Sequence, residues 1–281
     1  MPLVELILLL VLGLFAGAIG GLVGVGGSIV IIPILTLLMS RDQHLSQAAA
    51  MIVNVFVAAS ALLRHHQAMA VRWDVVARML PFGVLFIIIG VEASNQIDGE
   101  ILKKIYGGFL LYVIVFNVIK LFQDGGQSPD AAQPRIGWGP VGFIGGLMGL
   151  VAGLLGIGGG PIAMPLLQRI CNLPLRQAIA ASSAVMCLTS IVGAVRKNAT
   201  LAGHMDAAGN ALGLQDSLLI AAALAPTAVV GALLGAGLTH TLPLRWVRVA
   251  FILLMTWASA SMLGLVRNAL QWCRKEREYQ R

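Results

Sequence analysis

Two glycine-rich stretches, 20–33 and 152–165, contain the residues best suited to hold a ligand. Both lie within long apolar runs and end in proline. Because glycine and proline interrupt helices, a short helix is predicted to begin in each stretch. In a bilayer, interrupted backbone is tolerated only where it is buried in protein or lines a cavity. The N–H groups and partial positive charge of such a helix start attract anions. The candidate ligand-binding residues here are Gly26, Gly27, Ser28, Gly158, Gly159 and Gly160.

The composition predicts an all-α polytopic membrane protein. Of 281 residues, 58% are hydrophobic and 11% charged, whereas a soluble domain has about 25% charged residues. Six of eight apolar segments have about the 20 residues that a spanning helix needs. The first and fifth segments, at about 35 residues, would reach about 50 Å against a hydrocarbon core of about 30 Å, so they must break. The eight segments are 3–39, 47–63, 73–91, 101–122, 136–170, 177–195, 215–238 and 244–266.

The chain is predicted to be an internal duplication. A set of glycines and a proline recurs later in the chain at one constant offset. This indicates a first transmembrane repeat over 1–122, a linker over 123–135, a second repeat over 136–267 and a basic cytoplasmic tail over 268–281. Duplicated halves are typical of secondary transporters, which bind substrate where the repeats meet. The recurring positions are Gly21, Gly24, Gly26, Gly27 and Pro33 with Gly153, Gly156, Gly158, Gly159 and Pro165.

The basic residues near segment ends suggest an orientation. Lys and Arg concentrate on the cytoplasmic side of membrane proteins, which places Arg64, Arg196 and Lys197 in the cytoplasm and the acidic loop 92–100 outside. This agrees with eight net crossings, in which each long segment crosses once. The alternative makes each long segment a V-shaped pair, which gives inverted five-helix repeats. The three basic residues are also candidates for a vestibule that concentrates anions.

The central polar groups of the segments are neutral. Asp and Glu appear only at segment ends, which weighs against a cation channel or a carboxylate proton relay. Hydroxyls and amides suit a small anion, and Asn54, Ser182 and Ser183 are the candidates closest to the two breaks. Each such side chain alone is more often a hydrogen bond of helix packing. The prolines expected to interrupt the helices are Pro33, Pro161 and Pro165.

Catalysis is not expected. A serine nucleophile needs a base, yet His44, His65, His66, His204 and His240 are assigned to loops, scattered along the chain. The same scatter predicts no metal site and no cofactor. The three cysteines have no disulfide or metal spacing and are interpreted as packing residues. The tail lacks a recognisable nucleic-acid module. Expected partners are a small anion, the lipid bilayer and a second copy in a homo-oligomer.

The paired Gly24–Pro33 and Gly156–Pro165 motifs, in an apolar duplicated chain, resemble those of the TauE/SafE (sulfite exporter, TSUP) family. The resemblance implies transport of sulfite, thiosulfate or organosulfonates such as sulfoacetate across the bacterial inner membrane. Ser182 and Ser183 fit the family's hydroxyl pattern, whereas the first half offers only Asn54, so the expected site is asymmetric. The alternatives are a passive anion channel and a non-transporting membrane scaffold or assembly factor.

Overall fold

A computed structural model describes residues 3–23, 26–67, 69–122, 136–205, 209–238 and 244–265. Within these ranges the chain is all-α, as predicted, and seven helices are long and apolar enough to cross a membrane. The linker 123–135 and the tail 268–281 lie outside the described residues. The helices are α1 Leu3–Val23, α2 Ser28–Leu37, α3 Gln43–Gln67, α4 Trp73–Asn95, α5 Gly99–Phe122, α6 Trp138–Leu155, α7 Gly160–Ile170, α8 Leu175–Thr200, α9 Leu214–Leu238 and α10 Leu244–Met262, with a 3₁₀ turn at Leu201–Gly203.

Helices α3 and α8 form the centre of the bundle. They pack against each other and are the most enclosed of the candidate spanning helices. Around them, α1 packs on α9, α4 on α6 and α5 on α10. The contacts of α1 with α2 and of α2 with α3 recur as contacts of α6 with α7 and of α7 with α8. Each short helix therefore lies between a long outer helix and one of the two central helices.

Small residues let the outer helix pairs approach closely. A Cβ atom on Gly17 of α1 would lie 2.0 Å from the Ala228 carbonyl oxygen of α9. A Cβ atom on Gly153 of α6 would lie 2.3 Å from the Ile87 carbonyl oxygen of α4. Since both obstacles are backbone atoms, a side chain could be accommodated only by moving a helix.

Replacing Gly153 with alanine should destabilise the α4–α6 pair. Overpacking costs about 1–3 kcal/mol, and this contact is with backbone rather than with a flexible side chain. Gly108 of α5 is the matched control, because a Cβ atom there meets nothing within 4 Å. Thermal unfolding in detergent should show a lowered midpoint for Gly153→Ala and an unchanged midpoint for Gly108→Ala. Equal midpoints for the two variants would contradict the packing.

The two long apolar segments turn back on themselves. Gly27 lies beside Ala16, with its Cβ position 3.5 Å from the Ala16 carbonyl oxygen. In a straight helix these residues would be about 16 Å apart along the axis. Arg41, after α2, pairs with Glu5 at the start of α1. In the fifth segment, the Cβ position of Gly159 likewise lies 2.9 Å from the carbonyl oxygen of Met148, which precedes it by 11 residues. The preference for one net crossing per long segment is therefore wrong, and each long segment is a V-shaped pair of one long and one short helix.

The proposed vestibule is divided between the two ends of the bundle. Arg196 forms an ion pair with Glu92, so it cannot lie on the opposite side from the loop 92–100. Lys197 lies against His44 at the start of α3. Arg64 is in the last turn of that helix, at its opposite end. The prediction that all three basic residues lie on one side is therefore wrong. A V-shaped segment returns to the side from which it started, so the helices that follow it run in the direction opposite to the predicted one.

Candidate functional site

A short helix begins at each glycine-rich break, as predicted. Helix α2 starts at Ser28 with Gly27 as its N-cap, and α7 starts at Gly160 with Gly159 as its N-cap. Ser28 is thus the first residue of α2, and Pro161 is the second residue of α7. Gly159 has φ +68°, a left-handed conformation that favours glycine.

The first turns of α2 and α7 leave backbone donors unused. In α2, the N–H groups of Val30 and Ile31 both donate to the Gly27 carbonyl at 3.1 Å. The corresponding two N–H groups of α7 donate to Gly159, also at 3.1 Å. The preceding N–H groups have no intrahelical acceptor among the described residues, so they carry the positive end of each helix dipole. Helix α7 offers one donor fewer, because Pro161 has no N–H.

The prolines lie inside the short helices rather than at the breaks. Pro33 and Pro165 are each the sixth residue of their helix, and both helices continue through them. Pro161 is likewise within α7. The helix-break role expected of these three residues therefore belongs to the glycines that precede them. Pro33 leaves the Ile29 carbonyl without its usual helical donor, which is a local effect inside α2.

The two breaks meet at Asn54 of α3 and Met186 of α8. A Cβ atom on Gly26 would lie 3.6 Å from Asn54 Oδ1 and 3.6 Å from Met186 Sδ. A Cβ atom on Gly158 would lie 3.5 Å from Asn54 Nδ2 and 2.0 Å from Met186 Sδ. Glycines far apart in sequence thus converge on one amide and one thioether. The arrangement therefore gives one central candidate site rather than two separate ones.

The side-chain amide of Asn54 has a hydrogen-bond partner at its nitrogen but none at its oxygen in the described structure. Its side chain is fully buried, and Nδ2 donates to Ser28 Oγ at 2.8 Å. Its Oδ1 atom is buried without a hydrogen-bond partner in the described structure. Leaving such an acceptor unpaired costs about 1–3 kcal/mol. Only the second N–H of Nδ2, and not Oδ1, could donate to an anion. The buried Tyr106 hydroxyl donates to the Ser28 carbonyl at 3.4 Å and supports the same turn.

One of the hydroxyls predicted to serve the site is used within its own helix. Ser182 Oγ donates to the Ile179 carbonyl at 3.0 Å. Both serines of the predicted pair are buried on α8, one turn before Met186. Met186 was not predicted, because its side chain is apolar and the predicted ligand groups are polar. The internal duplication does indicate Met186, since this residue follows Asn54 by the same offset that separates Gly158 from Gly26.

Two histidines expected to be scattered over loops lie together instead. The rings of His44 and His204 have centroids 4.0 Å apart. Lys197 Nζ is 2.9 Å from His44 Nδ1 and is fully buried. The three form a cluster at one end of α3 and α8. Across the described ranges, no group of three His, Cys, Asp or Glu side chains is placed to hold a metal ion.

Comparison with known sequences places the chain in a family. The profile of the sulfite exporter TauE/SafE family matches residues 9–262. The chain belongs to this family. It is therefore a multi-pass membrane protein of a transporter family, as the seven candidate spanning helices also indicate. No solved structure matches it.

The relatives have names that indicate transport without a stated substrate. The probable membrane transporter MamO of Magnetospirillum gryphiswaldense is 26% identical over 91% of this chain and 44% of its own length. The probable membrane transporter YunE of Bacillus subtilis is 26% identical over 83% of this chain and 88% of its own. A probable membrane transporter of Haemophilus influenzae is 28% identical, covering 67% and 72%. The chain spans less than half the length of its MamO relatives.

Proposed function

We propose that this protein is a secondary transporter of small sulfur-containing anions: sulfite, thiosulfate or organosulfonates such as sulfoacetate. The observation that carries the proposal is the meeting of two helix starts, with their unused N–H donors, beside the Asn54 side chain. Helix N-termini favour anions through free N–H groups and the helix dipole. The family, whose description is that of a sulfite exporter, supports the choice of sulfur anions. The mechanism requires no cofactor and no catalytic step.

The anion is bound by neutral groups. Its oxygens accept hydrogen bonds from the first-turn N–H groups of α2 and α7, from Asn54 Nδ2 and from the Ser28 hydroxyl. Met186 now fills the space between the breaks. Since methionine has an unbranched, adaptable side chain, it can turn aside to admit the substrate. Ser182 and Ser183, one turn earlier on α8, would line the space that it leaves.

The arrangement of the halves provides alternating access. We infer that 1–122 and 136–267 are repeats of inverted topology, since the two V-shaped pairs occupy corresponding places and the central helices α3 and α8 run in opposite directions. In transporters with this design, one repeat rocks against the other around a fixed site. Movement of the halves would expose the central site to each side of the inner membrane in turn.

Flux of labelled anion into proteoliposomes tests the function. Uptake of labelled sulfite, thiosulfate or sulfoacetate should saturate with concentration and exceed that of empty liposomes. Unlabelled substrate inside the vesicles should accelerate uptake, because a carrier exchanges internal substrate for external substrate. Flux that does not saturate would identify a passive anion channel. Absence of flux for all three anions would favour a membrane scaffold or assembly factor, in which the glycines serve packing alone.

A further inference from the structure

A buried lysine ties three helices together at one end of the bundle. Lys197 of α8 is fully buried. Its Nζ lies 2.7 Å from Ser94 Oγ and 2.9 Å from Asn95 Oδ1, both on α4. The third partner is His44 Nδ1 on α3, at 2.9 Å. The three donors of an ammonium group thus meet three neutral acceptors.

The hydrogen bonds continue across the bundle. Ser94 Oγ donates to Gln47 Oε1 at 3.1 Å, which leaves its lone pairs free to accept from Lys197. Gln47 Nε2 donates to the Leu154 carbonyl at 3.2 Å, near the end of α6. The network therefore joins α3, α4, α6 and α8, which belong to both halves of the chain. Any opening between the halves at this end must break it.

The network separates an outer cavity from the central site. A cavity of about 890 Å³ reaches His44, Asn95 and His204 from the end of the bundle. On the inner side, Met51, Val91 and Ala194 form a small apolar cluster. Beyond that cluster, further along α3 and α8, lie Asn54 and Met186. The path from the cavity to the site is thus closed by a polar layer and then an apolar one.

We propose that Lys197 and His44 form a proton-binding pair that holds this end closed when it is neutral and couples its opening to proton uptake. The proposal rests on the function proposed above, since it supplies the coupling ion for the same central site. The proton binds where two nitrogens face each other next to a cavity open to water.

The proton can leave through the imidazole. The Lys197 ammonium passes a proton to His44 Nδ1, and the resulting imidazolium releases its Nε2 proton to water in the cavity. A neutral amine then accepts a hydrogen bond from Nδ1–H, so one proton and one positive charge have left the pair. Buried ionisable groups of this kind mark proton pathways in membrane proteins.

The charges around the pair allow it to lose the proton. No carboxylate oxygen forms an ion pair with Lys197 Nζ in the described structure. Deprotonation of Lys197 therefore leaves no buried anion without its counter-charge. Asp42 and Glu92 act on Lys197 from farther away, and Glu92 is already paired with Arg196. The remaining titratable or charged groups described around the cavity are Arg41, Asp98, Glu100, Lys103 and His204.

Loss of the proton favours the closed state. Burial removes water from the ammonium of Lys197, and this desolvation disfavours the charged form more in the closed state than in an open state that admits water. The neutral amine keeps all three contacts, because it donates to Ser94 and Asn95 and accepts from His44. The pair therefore closes this end when it is neutral and favours opening when it is protonated.

A cysteine in the apolar layer reports this opening without any substrate. Ala194→Cys is placed in a chain whose native cysteines, Cys171, Cys187 and Cys273, are replaced by serine, and the protein is studied in lipid nanodiscs. Its labelling rate with a membrane-impermeant thiol reagent is measured in acidic and alkaline buffer. The same reporter in a Lys197→Met chain corrects for the pH dependence of the thiol itself. After this correction, labelling should be about tenfold faster in acidic than in alkaline buffer, because the buried charge is disfavoured in the closed state.

Two further variants test whether the pH response comes from the pair of Lys197 and His44 or from neighbouring charges. Arg196→Gln, next to Lys197 but exposed and paired with Glu92, should keep the pH response. Lys197→Gln should abolish it and serves as the second variant if Lys197→Met fails to insert. The same pH response with and without Lys197 would overturn the proposal, even if sulfur anions are transported. A response that depends on Lys197 would support it, even if the transported anion proves to be different.

Discussion

Gly159→Ala is expected to reduce transport at least tenfold, whereas Gly27→Ala should remain near the wild-type rate. Both residues are N-caps of the short helices, yet their surroundings differ. Gly159 has φ +68°, and its Cβ position lies 2.9 Å from the Met148 carbonyl oxygen and 2.5 Å from Met148 Cγ. A left-handed conformation costs a residue with a side chain about 1–2 kcal/mol. Gly27 has φ −72°, and its Cβ position has ordinary contacts of 3.5 Å or more.

The comparison is made on anion uptake at equal amounts of inserted protein. Membrane insertion and thermal stability are measured for both variants, with Gly108→Ala as the control for a helical glycine in open space. Gly159→Ala should insert, unfold at a lower temperature and transport poorly. Equal uptake by the two N-cap variants would show that the left-handed turn before α7 has no part in binding.

Asn54→Leu is expected to weaken anion binding by about 10- to 100-fold, the loss of one charged hydrogen bond of about 1.5–3 kcal/mol. Stability should stay the same or rise. Leucine has a similar shape, and it removes a buried Oδ1 atom that has no partner in the described structure. The loss of the bond from Nδ2 to Ser28 offsets part of this gain. Opposite changes in function and stability are characteristic of a binding residue rather than a packing residue.

The matched control for this variant is Asn117→Leu. Asn117 is also a buried amide, but its Nδ2 donates to the Val113 carbonyl of its own helix at 2.8 Å. Its replacement should leave anion affinity unchanged. Affinity is measured by the dependence of uptake on anion concentration, and stability by thermal unfolding in detergent. Unchanged affinity in Asn54→Leu would remove this residue from the proposed site.

The sequence correctly predicted where the helices break. Gly-Gly steps inside segments too long for one crossing required a break, and α2 and α7 begin there. The spacing of glycines four apart in α1 and α6 also agrees with their contacts with backbone atoms of α9 and α4. These features follow from local chemistry, because glycine acts on its own backbone conformation and on the helix that touches it.

The direction of the chain after each break was not predictable in the same way. Hydropathy measures the length of an apolar segment and not whether it continues or turns back. Loop charges did not decide the matter either, because Arg64 and Arg196 lie at opposite ends of the bundle. The cluster of Lys197, His44 and His204 depends on that direction, since only antiparallel α3 and α8 bring its members together.

The asymmetry expected from the unequal motifs is present in the central site. The first break has a hydroxyl at Ser28 that accepts from Asn54. The second break has Gly160 and Pro161 in the corresponding turn and places Met186 against Gly158. Asn54 and Met186 thus differ in polarity across one small space. A substrate with charged oxygens at one end and a less polar group at the other, such as an organosulfonate, would match this difference.

Stoichiometric binding of a labelled sulfur anion to purified protein tests most directly whether the two breaks form one site. Gly27→Leu and Gly159→Leu each place a large side chain at one break only. Wild-type protein should bind one anion per chain, and either variant should lose all of that binding while still inserting into the membrane. Two anions per chain, or binding retained in either leucine variant, would contradict a shared site.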